Sequence, residues 1–128
     1  MEYLADEKNT LPYVFLNEKT GEFTIKGRST STSAEVLFEE IIEYVKKYLS
    51  ANFKDMEINI DLEFFNTPTS KKLLDLFKLI KNSSNTNGFK ILINWYFEKD
   101  DEDMFDAGED YNSILEVPFK LIEKKNIK

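Results

Sequence analysis

The chemistry open to this 128-residue chain rests on hydroxyls, amides, carboxylates and lysines, because it contains neither histidine nor cysteine. That absence removes imidazole bases, thiolate nucleophiles, disulfides and Cys/His zinc sites together. The remaining candidates gather in three places. Asn66, Thr67, Pro68, Thr69, Ser70, Lys71 and Lys72 crowd hydroxyls, an amide and two cations between two apolar segments. Residues 98–110 hold Asp100, Asp101, Glu102, Asp103, Asp106, Glu109 and Asp110. Residues 27–33 form a small polar run that includes Arg28 and Ser29.

The first cluster lies where an alternating segment gives way to helical spacing, the edge at which α/β proteins place their sites. With Thr67 as N-cap and Pro68 as the first helical residue, the threonine hydroxyl accepts from an orphan amide, and the proline N–H is not missed. Thr69 is a rival cap. A phosphate added at the same place meets free amides, the positive end of the helix dipole and the nearby Lys71 or Lys72. It also brings about −1.5 to −2 charges to a surface a partner must approach, which makes a switch. Both readings fit the residues, and Thr69 and Ser70 are alternative acceptors.

The acidic cluster raises the question of calcium, magnesium or a carboxylate-driven hydrolysis. An EF-hand loop begun at Asp101 needs an oxygen ligand at 105, glycine at 106 and glutamate at 112; the chain has Phe105, Asp106 and Asn112. No metal and no cofactor are therefore expected. Met104 and Phe105 stand among the carboxylates either as an exposed interface pair or as a buried anchor.

These clusters need elements to hold them. Residues 11–16 (LPYVFL) and the alternating Phe23 and Ile25 read as a β-hairpin ended by Gly27. Thr32 and Glu35 have the spacing of a capping box, and a helix follows to about Ala51 with Leu37, Phe38, Ile41, Ile42, Val45, Tyr48 and Leu49 at three- and four-residue steps. Residues 56–64 alternate cleanly, placing Ile58, Ile60, Leu62 and Phe64 opposite Glu57, Asn59, Asp61 and Glu63. A second helix carries Leu73, Leu76, Phe77 and Ile80 as far as the Asn/Ser-rich run at 82–88. Residues 90–97 form a strand with Trp95 in phase with Ile91 and Ile93, hence in the core. The acidic residues make a turn or short helix, and residues 116–122 a last strand that Pro118 places near an edge. The fold class is α/β: one mixed sheet in a single domain over residues 11–123, helices packed on one face, with a polar leader (1–10) and a polar tail (124–128).

Seventeen basic against 24 acidic residues, net −7, disfavour nucleic acid and anionic membrane as partners. The start of the chain lacks a secretory signal, and no segment reaches the roughly 20 apolar residues of a membrane span, so a cytoplasmic protein is expected.

Glu63-Phe64-Phe65-Asn66-Thr67, then Thr69-Ser70-Lys71, Trp95-Tyr96, Asp100-Asp101-Glu102-Asp103-Met104 and Gly108-Glu109-Asp110 together resemble the SiaC family of bacterial regulatory phosphoproteins. Thr10-Leu11-Pro12 and Gly27-Arg28-Ser29 fit the same pattern, although Pro68 stands where a serine is expected. The resemblance implies a fold similar to STAS domains, the anti-sigma-factor antagonists, with phosphorylation of the hydroxyl residue that follows the central strand, by position Thr67. It further implies a partner-switching circuit in which a protein kinase adds the phosphate, a PPM-type phosphatase removes it, and the unmodified form binds an effector such as a diguanylate cyclase. The partner-binding surface expected on this basis comprises Asn66, Thr67, Pro68, Thr69, Ser70, Lys71 and Lys72, joined by Arg28, Ser29, Met104 and Phe105. The competing functions are a constitutive interaction module in which Thr67 is only a cap, and a carboxylate- or metal-dependent hydrolase.

Overall fold

The computed structural model describes residues 2–5, as backbone, and residues 10–125. Among them the order is β1 (Glu2–Ala5), β2 (Tyr13–Asn17), β3 (Glu22–Ser29), α1 (Ala34–Ala51), β4 (Met56–Phe65), α2 (Thr67–Asn87), β5 (Ile91–Phe97), α3 (Glu102–Leu115) and β6 (Phe119–Glu123). The six strands form one sheet in sequence order. β1, β2 and β3 are antiparallel; β3, β4, β5 and β6 are parallel. Each parallel step moves the same way across the sheet through a helix, so right-handed crossovers bring all three helices onto one face. The expected class is met: α/β, mixed sheet, helices on one side.

The alternation read from the sequence is what makes that face. Phe23, Ile58 and Ile93 lie in register across β3, β4 and β5, and Ile25, Ile60 and Trp95 form the next row; all six are essentially inaccessible. The opposite face carries Thr24, Asn59 and Asn94 in one row. Asn94 Nδ2 donates to Asn59 Oδ1 at 2.8 Å and to Glu57 Oε1 at 3.0 Å, so the buried amide is satisfied by its neighbours.

Several boundaries differ from expectation. Glu2–Ala5, read as part of a polar leader, adds to the sheet beside β2, while residues 6–9 and the last three of the tail lie outside the described residues. β3 does not stop at Gly27 but continues through a register shift there, Gly27 having φ 109°, to Ser29. The capping box at Thr32 and Glu35 does not form. Ser33 is the N-cap, yet it has helical dihedrals and caps nothing with its side chain, whose oxygen reaches the first amides only from an extended backbone. The second helix passes through the Asn/Ser-rich run to Asn87 and ends on left-handed Gly88. Glu116 to Pro118 precede the last strand, which begins at Phe119 on the sheet edge.

The acidic segment is a 14-residue helix, longer than a turn, because Asp101 caps it by accepting from the Met104 amide at 3.0 Å and Met104, Gly108, Tyr111 and Leu115 make a buried stripe. The stripe closes on Trp95. Its indole Nε1 donates to the Met104 carbonyl at 2.9 Å, and the rings of Tyr111, Phe65 and Phe119 surround it at 5.2, 6.0 and 6.4 Å. Gly108 permits the approach, since a Cβ there would lie 2.5 Å from both Trp95 Cδ1 and Leu121 Cδ2. Among the described residues no helix is long and apolar enough to cross a membrane.

Gly108→Ala is expected to destabilise by about 1–3 kcal/mol through overpacking, although alanine favours an isolated helix by about 1 kcal/mol. A urea midpoint at or above that of the parent would contradict the contact.

Candidate functional site

The end of β3 and the start of α2 are stitched together by short polar bonds. After the shift at Gly27, Arg28 pairs with Phe64 and Ser29 with Phe65. Ser29 then points inward and is fully buried, as is Thr69. Thr69 Oγ1 donates to the Ser29 carbonyl at 3.2 Å, which leaves the Ser29 hydroxyl to donate to Thr69 Oγ1 at 2.7 Å. The same Ser29 carbonyl accepts from the Asn66 amide at 2.9 Å.

Asn66, not Thr67, is the cap. Its backbone is extended (φ −87°, ψ 174°) and its Oδ1 accepts from the Thr69 amide at 3.0 Å, while Thr67 is already the first helical residue and Pro68 the second. Thr67 therefore has no capping duty, and Thr69 is not the cap either. The proline remains harmless one position later, because the second helical amide is also an orphan. Asn66 Nδ2 meanwhile donates to the Ser31 carbonyl at 3.3 Å, tying the α1 approach to the same point.

The three hydroxyls of the junction have different fates. Thr69 is walled in and closed to any enzyme. Ser70 is half-buried: Tyr111 OH donates to its carbonyl at 2.9 Å and accepts from its Oγ at 3.1 Å. Burial pushes the Tyr111 phenol above its ordinary value, the Ser70 hydrogen bond opposes this and the charge of Asp110 adds to it, so the phenol keeps the proton it donates. Thr67 is exposed, as is Pro68, and its hydroxyl makes no hydrogen bond among the described residues.

The cations around it also differ. Lys71, four residues on and so on the same helix face as Thr67, is exposed with no ion pair among the described residues. Lys72 is drawn toward Glu39 of α1 at 3.5 Å. Arg28 bonds Glu63 Oε2 at 2.9 Å and lies 5.4 Å from the Phe64 ring centroid.

Four residues expected on a partner surface are wholly or partly engaged inside the fold. Ser29 and Thr69 are internal braces. Met104 is 6% exposed and faces inward, and Phe105 is half-buried with its ring 5.1 Å from that of Phe97, so this pair anchors α3. Among the described residues no three carboxylates converge to hold a metal ion. Sequence reasoning missed Tyr111, although its place in the 104, 108, 111, 115 stripe was legible, and the exposure of Phe64, which alternation alone assigns to the core.

Asn66→Ala is expected to lower stability by about 1–2 kcal/mol and Thr67→Ala to change it by less than about 0.5 kcal/mol; the reverse order in chemical denaturation would restore Thr67 as the cap. Thr69→Val should cost about 1–3 kcal/mol by orphaning the buried Ser29 hydroxyl, and Ser29→Ala less, because Thr69 Oγ1 still donates to the backbone carbonyl of residue 29. A double-mutant cycle should show the pair costing less than the sum of the singles, and strict additivity would mean the hydroxyls are not coupled.

Comparison with known proteins agrees with this architecture. The apo structure of SiaC from Pseudomonas aeruginosa superposes with a TM-score of 0.85 at 17% identity, covering 95% of this chain and 98% of that one. SiaC in the complex in which it is the activator of the diguanylate cyclase SiaD, from the same organism, gives 0.88 at 17% identity, covering 95% and 99%. An uncharacterised protein of P. aeruginosa strain UCBPP-PA14 is 20% identical over 103 residues, 80% of this chain and 81% of its own. The model of the SiaC family regulatory phosphoproteins matches residues 5–124, and the chain belongs to that family.

Proposed function

We propose that the chain is a non-catalytic regulatory phosphoprotein of a cytoplasmic partner-switching circuit, with Thr67 as the residue modified. A protein kinase adds the phosphate, a PPM-type phosphatase removes it, and the unmodified form docks an effector, by analogy with the SiaC–SiaD complex a diguanylate cyclase. The observation that carries this reading is the division of labour at the junction. Asn66 does the capping, Thr69 and Ser70 have their hydroxyls engaged inside, and Thr67 is left exposed with a hydroxyl that makes no hydrogen bond among the described residues.

Physical chemistry favours the modification at that atom. A dianion at the first helical residue gains from the positive helix end, about 0.3–1 kcal/mol, and from Lys71 one turn away. The fold therefore accepts the phosphate, and its effect falls on the surface. The regulatory description of the family, and the absence of histidine and cysteine from the sequence, support a role without catalysis.

With the cognate kinase and ATP, intact-mass spectrometry is expected to show one added phosphate on the parent and none on Thr67→Ala, which should stay folded. Labelling that survives Thr67→Ala would move the site, and an unmodified parent would leave a constitutive interaction module. The phosphorylated form should bind the effector about tenfold or more weakly than the unmodified one; equal affinities by calorimetry would remove the switch while leaving the modification.

A further inference from the structure

Phe64 is 58% exposed at the end of β4 although the strand's alternation assigns it inward. The extra residue on β4 at the Gly27/Arg28 register shift is the cause: the pairing passes from Gly27 with Leu62 to Arg28 with Phe64, skipping Glu63, and reverses which residues face out. Beside the ring, between the end of β4 and the first turn of α3, lies a cleft of about 230 Å³. Phe65 and the buried Met104 contribute its apolar surface, and Glu63, Asp101 and Asp103 its carboxylates.

We propose that this cleft receives an arginine or lysine side chain of a partner protein, with Phe64 as the apolar wall against which it packs. The lining, apolar on one side and acidic on the other, suits that occupant. A long cationic side chain buries a methylene stem against apolar surface while its head stays among polar groups, and an aromatic face attracts a cation by about 0.5–1 kcal/mol at an exposed site. Phe64 already shows this affinity, with the Arg28 guanidinium over its ring.

The charges select the sign. Among the described residues three carboxylates and no cation line the cleft. Arg28 offsets Glu63 from outside, and Asp101 spends one oxygen on the Met104 amide. Asp103 is exposed, with no ion pair among the described residues. The chain as a whole carries −7, which steers a cationic segment toward it and repels an anionic one. This inference concerns the β4–α3 side of the molecule and holds with or without phosphate on Thr67.

The test is a titration of the ¹⁵N-labelled full chain with the blocked peptide Ac-Ala-Leu-Arg-Leu-Ala-NH₂, followed by amide chemical shifts, with the isosteric-length peptide carrying glutamate for arginine as the contrast. The arginine peptide is expected to move the amides of residues 63–65 and 101–105, and the glutamate peptide to leave them in place. Phe64→Ala and Asp103→Asn should each weaken the arginine peptide by about threefold or more, as loss of one exposed cation–π or ion-pair contact does. Both side chains are exposed, so the parent spectrum should be retained elsewhere. Shifts that scatter over the surface, that are equal for the two peptides, or that survive both substitutions would overturn the proposal. None of these outcomes touches the phosphorylation of Thr67, which is read by mass.

Discussion

The two buried hydroxyls of Ser29 and Thr69 constrain the functional end of the molecule. They join residues 40 positions apart, the last of β3 and the third of α2. Neither can turn to water, so both are satisfied inside, the Ser29 hydroxyl by Thr69 Oγ1 and the Thr69 hydroxyl by the Ser29 carbonyl. Their bond fixes where the Asn66 amide meets the Ser29 carbonyl, hence where the helix starts, and so which residue is left outside. Thr67 lies outside between two committed residues, Asn66 at the cap and Thr69, two positions on, in the interior.

The same economy runs through the rest of the sheet. Because every parallel crossover advances in one direction, the starts of all three helices and the ends of their preceding strands lie along one rim. That rim holds the junction, Arg28 with Glu63, Phe64 and the acidic first turn of α3. The opposite sheet face, without helices, is closed instead by polar side chains that pair across strands, Asn94 with Asn59 and Glu57. An amide row of this kind keeps a parallel sheet in water on one side, where such sheets are ordinarily covered on both.

Much of this was legible in the residues. Strict alternation over β4 and helical spacing in α1 identify the elements and their buried sides, because both patterns are set by burial of one face. Trp95 was placed in the core by its phase with Ile91 and Ile93, correctly. The junction was located but mis-registered by one residue, since Asn66 and Thr67 are comparable caps and the choice between them depends on the contact with Ser29, 37 positions away. Phe64 was misassigned for a related reason: the shift opposite Gly27 is a property of two strands, and neither reveals it alone. The acidic helix was underestimated because its charges masked the sparse stripe of Met104, Gly108, Tyr111 and Leu115.

Trp95 is the chain's one tryptophan. Its indole is bonded to the first turn of α3 and enclosed by residues of that helix and of the sheet, with Gly108 holding the two surfaces in contact. Any event that lifts α3 from the sheet must break that bond and wet the ring, so the intrinsic emission of the unlabelled protein reports the seating of this one helix.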